Sequence, residues 1–360
     1  MTKLKVILIL VACLSGVSTV WAQVSLTKGG SGADEFELVK SGKAAKLYYD
    51  IRDFEVIKKS AHLFSNDVRL VTDREIAVSE AVEEMSSNCI IVGTLGHNEL
   101  IDKLILKKKL DVSTLKDKWE SFHIEVVRNP FPGVKKALVV VGSDRRGTAY
   151  GLFSISESIG VSPWYWWADA PVAKRKELCL KVQKMTSEEP TVKYRGIFIN
   201  DEDWGLLRWA KTNFEKERGN IGPKTYAKVC ELLLRLKANY LCPAMHEAST
   251  AFNKIPENKL VADSFAIVMG SVHCEPLLFN NASEWDKKTM GDWDYVNNKE
   301  MLDRVLRQRV VDNSPYENVY TLALRGLHDK AMGGSSDMKE RVKLLGDALN
   351  AQRQLLVDVI

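Results

Sequence analysis

Short apolar runs separated by helical spacings recur along this chain, and their rhythm changes once. Leu47-Tyr48-Tyr49, Val68-Arg69-Leu70-Val71 and Cys89-Ile90-Ile91-Val92 read as strands. Phe122 to Val127 alternates, and Ala137 to Val141 is continuously apolar before Gly142. Between the first two runs, Ile51, Phe54, Ile57, Ala61 and Phe64 recur at helical spacing. This alternation predicts an α/β layered domain over residues 46–186. Ser187-Glu188-Glu189-Pro190 marks a boundary. Beyond it the units lengthen. Strands are expected at Tyr194–Ile199, Asn239–Cys242, Phe265–Met269 and Val319–Leu324, and helices at Thr225–Leu236, Met301–Val311 and Met338–Ile360. Strand followed by helix is the (β/α) rhythm, so residues 190–360 are expected to form the first half of a (β/α)8 TIM-type barrel. Half a barrel leaves two open sheet edges, which proteins avoid. The chain is therefore expected to be the front part of a longer protein and inactive alone.

Hydrophobic residues at 45% and charged residues at 27% of 360 are those of a globular protein large enough for two domains. The formal charge of +4, less Lys3 and Lys5 of the leader, is +2, so neither nucleic acid nor an anionic membrane is expected as a partner. Lys3 and Lys5 precede an apolar run from Val6 to Leu14, and Val20-Trp21-Ala22 offers small-x-small cleavage before Gln23. That pattern predicts a signal peptide over residues 1–22 and export, periplasmic or extracellular, from a bacterium. Leu10-Val11-Ala12-Cys13 resembles a lipobox, and lipidation at Cys13 is the alternative that would bring a membrane in. Residues 23–45, with Gly29-Gly30-Ser31-Gly32, read as a lead-in with little fixed structure. Cys89, Cys179, Cys230, Cys242 and Cys274 are odd in number and contain no C-x-x-C pair. They are expected to be buried thiols rather than a disulfide scaffold.

Two segments leave a choice open. Asp144-Arg145-Arg146-Gly147-Thr148 suits a helix start, which beside two arginines either binds an anion or packs tightly on the sheet. Pro163-Trp164-Tyr165-Trp166-Trp167 is either a platform for sugar rings or a wedge between domains.

Chemistry gathers at the expected strand ends. These carry Asn200-Asp201-Glu202-Asp203, then His246-Glu247, then His273-Cys274-Glu275, then Arg325-Gly326-Leu327-His328-Asp329. Three of the six histidines fall there, and in such barrels that face carries the reaction. Crowded acids repel, so one of them is expected to hold a proton. Paired carboxylates suit glycoside hydrolysis, and Arg325 can clamp an anionic sugar in bidentate fashion. A metal-dependent hydrolase is the alternative, since His and carboxylate also bind metals. It ranks second because barrel metallohydrolases usually show His-x-His on the first strand. Phosphate loops, nucleophile elbows and dinucleotide fingerprints are absent, and neither cofactor nor metal is expected.

The segments DRRGTAYGLFSISESIGVSPWYWWADAPV, YRGIFINDEDWG, CPAMHE, GSVHCEP and LALRGLHD together resemble glycoside hydrolase family 115 over nearly the whole chain after the leader. The resemblance implies an exported xylan α-1,2-glucuronidase that releases (4-O-methyl)glucuronic acid with inversion. It implies that Asp203, His273, Arg325 and Asp329 line the uronic-acid pocket. Asp329 and Asp203 would be the catalytic carboxylates and Arg325 the partner of the substrate carboxylate. Asn200, Glu202, His246 and Glu275 would join the substrate contacts. The implied partner is xylan or a glucuronoxylo-oligosaccharide, and a homodimer of the full-length protein is left open. His246 stands where the family often has Trp, and a glutamate expected from the second half-barrel has no counterpart here. A non-catalytic carbohydrate-binding remnant is the competing reading from another class.

Overall fold

The computed structural model describes residues 24–29, 32–80, 85–200, 202–272, 275–328, 330–333 and 336–360. Expectations placed on residues 1–22, Asp201, His273, Cys274 and Asp329 lie outside the described residues.

The first region is built on two sheets. Strands β4 (Lys46–Tyr48), β5 (Val78–Ser79), β6 (Asn88–Thr94) and β8 (Lys136–Gly142) run parallel, and β7 (Phe122–Arg128) and β10 (Met185–Thr186) add an antiparallel edge. The order is β10-β7-β8-β6-β4-β5. Both faces are covered, as parallel strands require. Ile90, Val92, Leu138 and Val140 face one core with helices α1 (Glu55–Thr72) and α3 (Arg145–Ser158). Cys89, Ile91, Val139 and Val141 face a second core with Leu100, Ile101 and Leu104 of α2 (Glu99–Leu106). The α/β layers expected from the alternation are present.

Three local expectations fail here. Val68–Val71 is the last turn of α1, because Val56, Ile57, Ala61, Phe64, Val68 and Val71 form one buried stripe. The helix stops only at Asp73, whose left-handed φ of 58° turns its N–H onto Arg69 O. Ile51 lies before that stripe and is 68% exposed. The lead-in, too, is ordered: β1 (Val24–Thr27), β2 (Glu35–Lys40) and β3 (Lys43–Ala44) pair with β9 (Leu178–Val182) as β1-β9-β2-β3. Phe36, Leu38 and Val39 are fully buried there, so distant pairing overrides the Gly-rich composition nearby.

The second region holds three short parallel strands in chain order, β11 (Gly196–Phe198), β12 (Tyr240–Cys242) and β13 (Val268–Met269). A parallel bridge from Met269 to Asn318 continues the sequence of neighbours. Val319–Leu324, expected as a fourth strand, carries no ladder beyond that bridge. The first half of a closed barrel is therefore not drawn; the strands make an open parallel sheet. Ile197 and Phe198 were expected in a buried strand but are 39% and 41% exposed, since β11 pairs only with β12. Helices α4 (Leu206–Trp209), α5 (Pro223–Arg235) and α6 (Pro256–Ser264) share a core with Leu241 and Met269 of this sheet, whereas α7 (Lys287–Met290), α8 (Lys299–Asn313) and α9 (Met338–Val359) gather around a separate core of Leu277, Phe279, Trp285 and Trp293. Helices α5 and α6 open with Pro, which loses no hydrogen bond at that position.

The two regions are joined by charge and aromatic contacts. Arg235 of α5 donates to both Asp67 oxygens on α1, at 2.8 and 2.9 Å, and to Glu231 at 2.9 Å. Its guanidinium lies between the Phe153 and Tyr165 rings, 4.8 and 4.7 Å from their centroids. Arg145 and Arg146 both pair with Glu317, and Arg146 donates to Ala266 O at 2.7 Å. Gly147 starts α3 where a Cβ would sit 2.2 Å from Ser121 O. The arginine-bearing helix start is thus tight packing with both cations engaged by protein groups. Trp166 and Trp167 pack against Trp209, 5.4 and 5.5 Å between centroids, so the aromatic run does wedge between the regions. Cys89, Cys179, Cys230 and Cys242 are buried free thiols, and burial pushes Cys89 and Cys230 up to about 12.

Candidate active site

The polar residues expected at the strand ends converge through side-chain bonds between loops. Ile199 N donates to Cys242 O at 3.0 Å, carrying the β11–β12 ladder one residue further. The chain then turns and drives Glu202 fully inside. Glu202 Oε1 accepts from Met245 N and His246 N, each at 2.7 Å, which fixes the loop after β12. Its Oε2 is buried without a hydrogen-bond partner among the described residues. Asp203 points the other way, with Oδ2 3.4 Å from His246 Nδ1 and its side chain 40% exposed. His246 is 25% exposed, and its ring centroid lies 5.5 Å from that of His328.

The third and fourth strand ends are tied in the same way. Asn280 Nδ2 donates to Met245 O at 2.8 Å and to Glu275 Oε1 at 2.9 Å. Asn281 Nδ2 donates to Gly326 O at 3.1 Å, and Asn281 Oδ1 accepts from His328 N at 3.0 Å. Trp293 Nε1 donates to Arg325 O at 2.8 Å. His328 adopts a left-handed φ of 54°, a conformation that tolerates His better than most residues. Each loop is held by a buried amide or carboxyl group of its neighbour, which supplies the rigidity that a reaction site needs.

The structure separates the expected site residues into three groups. Asp203, His246 and Arg325 are partly exposed, and Asn200 is exposed beside β11. Glu202 and Glu275 are 0% and 5% exposed. Both were expected to meet substrate, but each is enclosed by the protein groups it bonds. His273 and Asp329 lie outside the described residues. Burial pushes the Glu275 carboxyl group up to about 8, and repulsion from Glu284 and Glu202 adds to the effect. Asn280, Asn281 and Trp293 went unforeseen. An Asn-Asn pair in sequence reads only as a turn, and nothing marked Trp293. Among the described residues no group of three or more His, Cys, Asp or Glu side chains is gathered to hold a metal ion.

A partly exposed carboxylate beside an imidazole, with an arginine on the loop that carries His328, can move protons and orient an anion. Comparison with known proteins points to the same class of chemistry. Residues 187–360 match the family model described as glycosyl hydrolase family 115. Among solved structures, the chain is similar to a family 115 4-O-methyl-α-glucuronidase with specificity for decorated arabinogalactans. The two are 37% identical with a TM-score of 0.78, over 90% of this chain and 41% of that one. The chain thus spans less than half the length of that relative. It is also similar to a Streptomyces plicatus N-acetyl-β-hexosaminidase, at 10% identity and a TM-score of 0.51, over 94% of this chain and 62% of that one. That likeness concerns the fold alone. No curated protein sequence matches the chain.

Proposed function

The chain belongs to glycosyl hydrolase family 115 through residues 187–360, and from that premise we propose that it serves in removing (4-O-methyl)glucuronic acid side chains from a plant polysaccharide. Xylan is the substrate backbone that the family resemblance implies, and a decorated arabinogalactan is the one supported by the similar glucuronidase. The (β/α)8 barrel belongs to this proposal, with β11, β12, β13 and the Asn318 bridge as its first four staves. So does export, supported by the leader pattern in residues 1–22.

The observation that carries the reading is that Glu202, Asn280 and Asn281 tie together the loops bearing Asp203, His246 and Arg325. In the inverting mechanism one carboxyl group protonates the leaving oxygen while a carboxylate activates water on the opposite face of the sugar. Asp203 is the exposed carboxylate available for one role, and Asp329 is assigned the other. His246 orients Asp203 through Nδ1. Arg325, on a loop anchored by Trp293, takes the uronate carboxylate as a bidentate partner. His273 and Asn200 are assigned to hydroxyl contacts. Glu202 and Glu275 hold the loops, and Glu275 does so as a neutral acid.

The test is glucuronic acid release from glucuronoxylan and from glucuronic-acid-decorated arabinogalactan. Asp203→Ala, Asp329→Ala and Arg325→Ala are expected to lower it by about 10²–10⁴-fold while thermal stability stays near wild type. Glu202→Gln, which keeps an acceptor oxygen for Met245 and His246, should retain far more release than Glu202→Ala. Release unchanged in all three site variants would sink these assignments.

A further inference from the structure

The aromatic run Trp164–Trp167 is not exhausted by its role as a wedge. Helix α3 begins at the amino-terminal side of the parallel strands, where Arg146 meets Ala266 O just ahead of β13 and Glu317 just ahead of the Asn318 bridge. Tyr150 OH donates to Ala238 O just ahead of β12. The helix then runs 14 residues, or about 21 Å, and the aromatic segment follows its far end. Near that end Glu157 still faces Lys237, just ahead of β12; from there the aromatic segment passes along α5, at Glu231 and Lys228, to Trp209 and Gly205 on the loop after β11.

There the aromatic run borders a cavity of about 600 Å³ lined by Tyr165, Trp166, Trp167, Trp209, Leu206, Gly205 and Asp169. Trp166 is braced edge-on by Trp167 at 4.9 Å and by Trp209 at 5.4 Å. Trp167 Nε1 is anchored on Lys228 O, and Tyr165 OH donates to Glu231 at 2.9 Å. The aromatic walls are therefore fixed before anything enters, which lowers the ordering cost of binding. Asp169 is the charged group of the lining; it is exposed and adopts a left-handed φ of 47°. Gly205 on the opposite rim is two residues from Asp203, at most about 7 Å of chain.

We propose that this cavity is a binding subsite for a neutral sugar unit of the polysaccharide main chain, next to the place where the acidic side chain is removed. The polysaccharide identity rests on the proposed function; the subsite itself rests on the cavity. Its volume falls in the range of about 300–1,000 Å³ that holds small ligands. Indole faces accept the C–H face of a pyranose ring, and Asp169 accepts a hydroxyl hydrogen bond. A carboxylate on the rim repels a uronate, so the occupant is the uncharged main-chain unit and not the acidic branch.

The experiment titrates the protein with two uncharged probes that lack uronic acid, β-1,4-xylohexaose and a β-galacto-oligosaccharide, following tryptophan fluorescence and calorimetric heat. Gly205→Leu fills the rim, and Asp169→Asn removes the charge while tolerating the left-handed backbone. Saturable binding of one probe is expected, weakened about tenfold or more by Gly205→Leu and several-fold by Asp169→Asn, with unchanged circular dichroism. The probe that binds identifies a xylan or a galactan main chain. No saturable binding of either probe at millimolar concentration would overturn the proposal, as would equal binding by wild type and both variants. If Gly205→Leu loses its folded spectrum, Asp169→Asn alone decides. Failure of uronic acid release leaves this readout untouched, and release with no neutral-sugar binding would count against the subsite alone.

Discussion

The sheet β10-β7-β8-β6-β4-β5 and the sheet β11-β12-β13 are both largely parallel, yet they are stabilised differently. In the first, the three central strands β6, β7 and β8 have seven residues each, and the sheet is covered by helices on both faces. In the second, strands of two or three residues carry few ladder bonds, and Ile197 and Phe198 of β11 stay exposed. What the second sheet lacks in ladder it replaces with side-chain ties: Glu202 to the β12 loop, Asn280 between the β12 and β13 loops, Asn281 onward to His328. Backbone ladders fix strands but offer no chemistry. Polar ties at strand ends fix loops and leave neighbouring carboxylates and imidazoles facing outward. The proposed reaction site falls on the weakly laddered sheet, where such ties are found.

The two regions also depend on one another. The buried Asp67–Arg235–Glu231 group sits across their junction, 0%, 4% and 4% exposed. Asp67→Ala leaves Arg235 short of its bidentate partner in a dry site. A loss of about 3–5 kcal/mol in urea-unfolding stability is expected, with both regions unfolding together. A loss below about 1 kcal/mol would show that the junction is looser than its geometry, and that the two sheets are independent units.

The second difference concerns protons. The carboxyl group of Glu275 is raised from 4.5 to about 8 in the folded protein. The folded state therefore binds more protons than the unfolded state between those values, and stability falls as pH rises through that window. The contribution is complete below pH 4.5 and lost by about pH 8. Its size is on the order of 5 kcal/mol. Glu275→Gln mimics the neutral acid and should flatten this part of the stability curve, as read by urea unfolding from pH 5 to 8 (about half a unit per step). A parallel shift of both curves would place the titrating group elsewhere.

How much of this was legible beforehand follows from the same contrast. The first sheet was readable because a strand buried on both faces writes itself as a continuous apolar run, as Ala137–Val141 does. Its partner sheet was not, because β1 is held by pairing Val24 with Val182, a contact no local pattern encodes. Val68–Val71 misled because β-branched residues fit a strand locally while α1 claims them through packing. At the site, acids and histidines at strand ends were visible as a cluster. Which of them turned inward was not: Glu202 and Asp203 are adjacent and acidic, and only the fold buries one and exposes the other. A proton was expected on one of the crowded acids, and it is burial that raises Glu275, which is a property of tertiary structure. Asn280 and Asn281 were silent because an amide pair carries no chemistry of its own until two loops flank it.

The smallest effect gives the sharpest contrast between the sheets, because the same methylene can be removed from each. Ile90 in β6 is fully buried, with neighbours on both strand edges and a helix layer above it. Ile90→Val removes atoms that cannot be replaced by solvent, and about 1 kcal/mol of stability should go with them. Ile197 in β11 is 39% exposed and pairs with one neighbouring strand. Valine there keeps the β-branch that suits a strand and gives up mostly wetted surface. Ile197→Val should therefore lie within about 0.5 kcal/mol of wild type. Equal losses at the two positions would mean that β11 is covered in solution by protein that the described residues do not supply, and the exposed edge would then count as an interface.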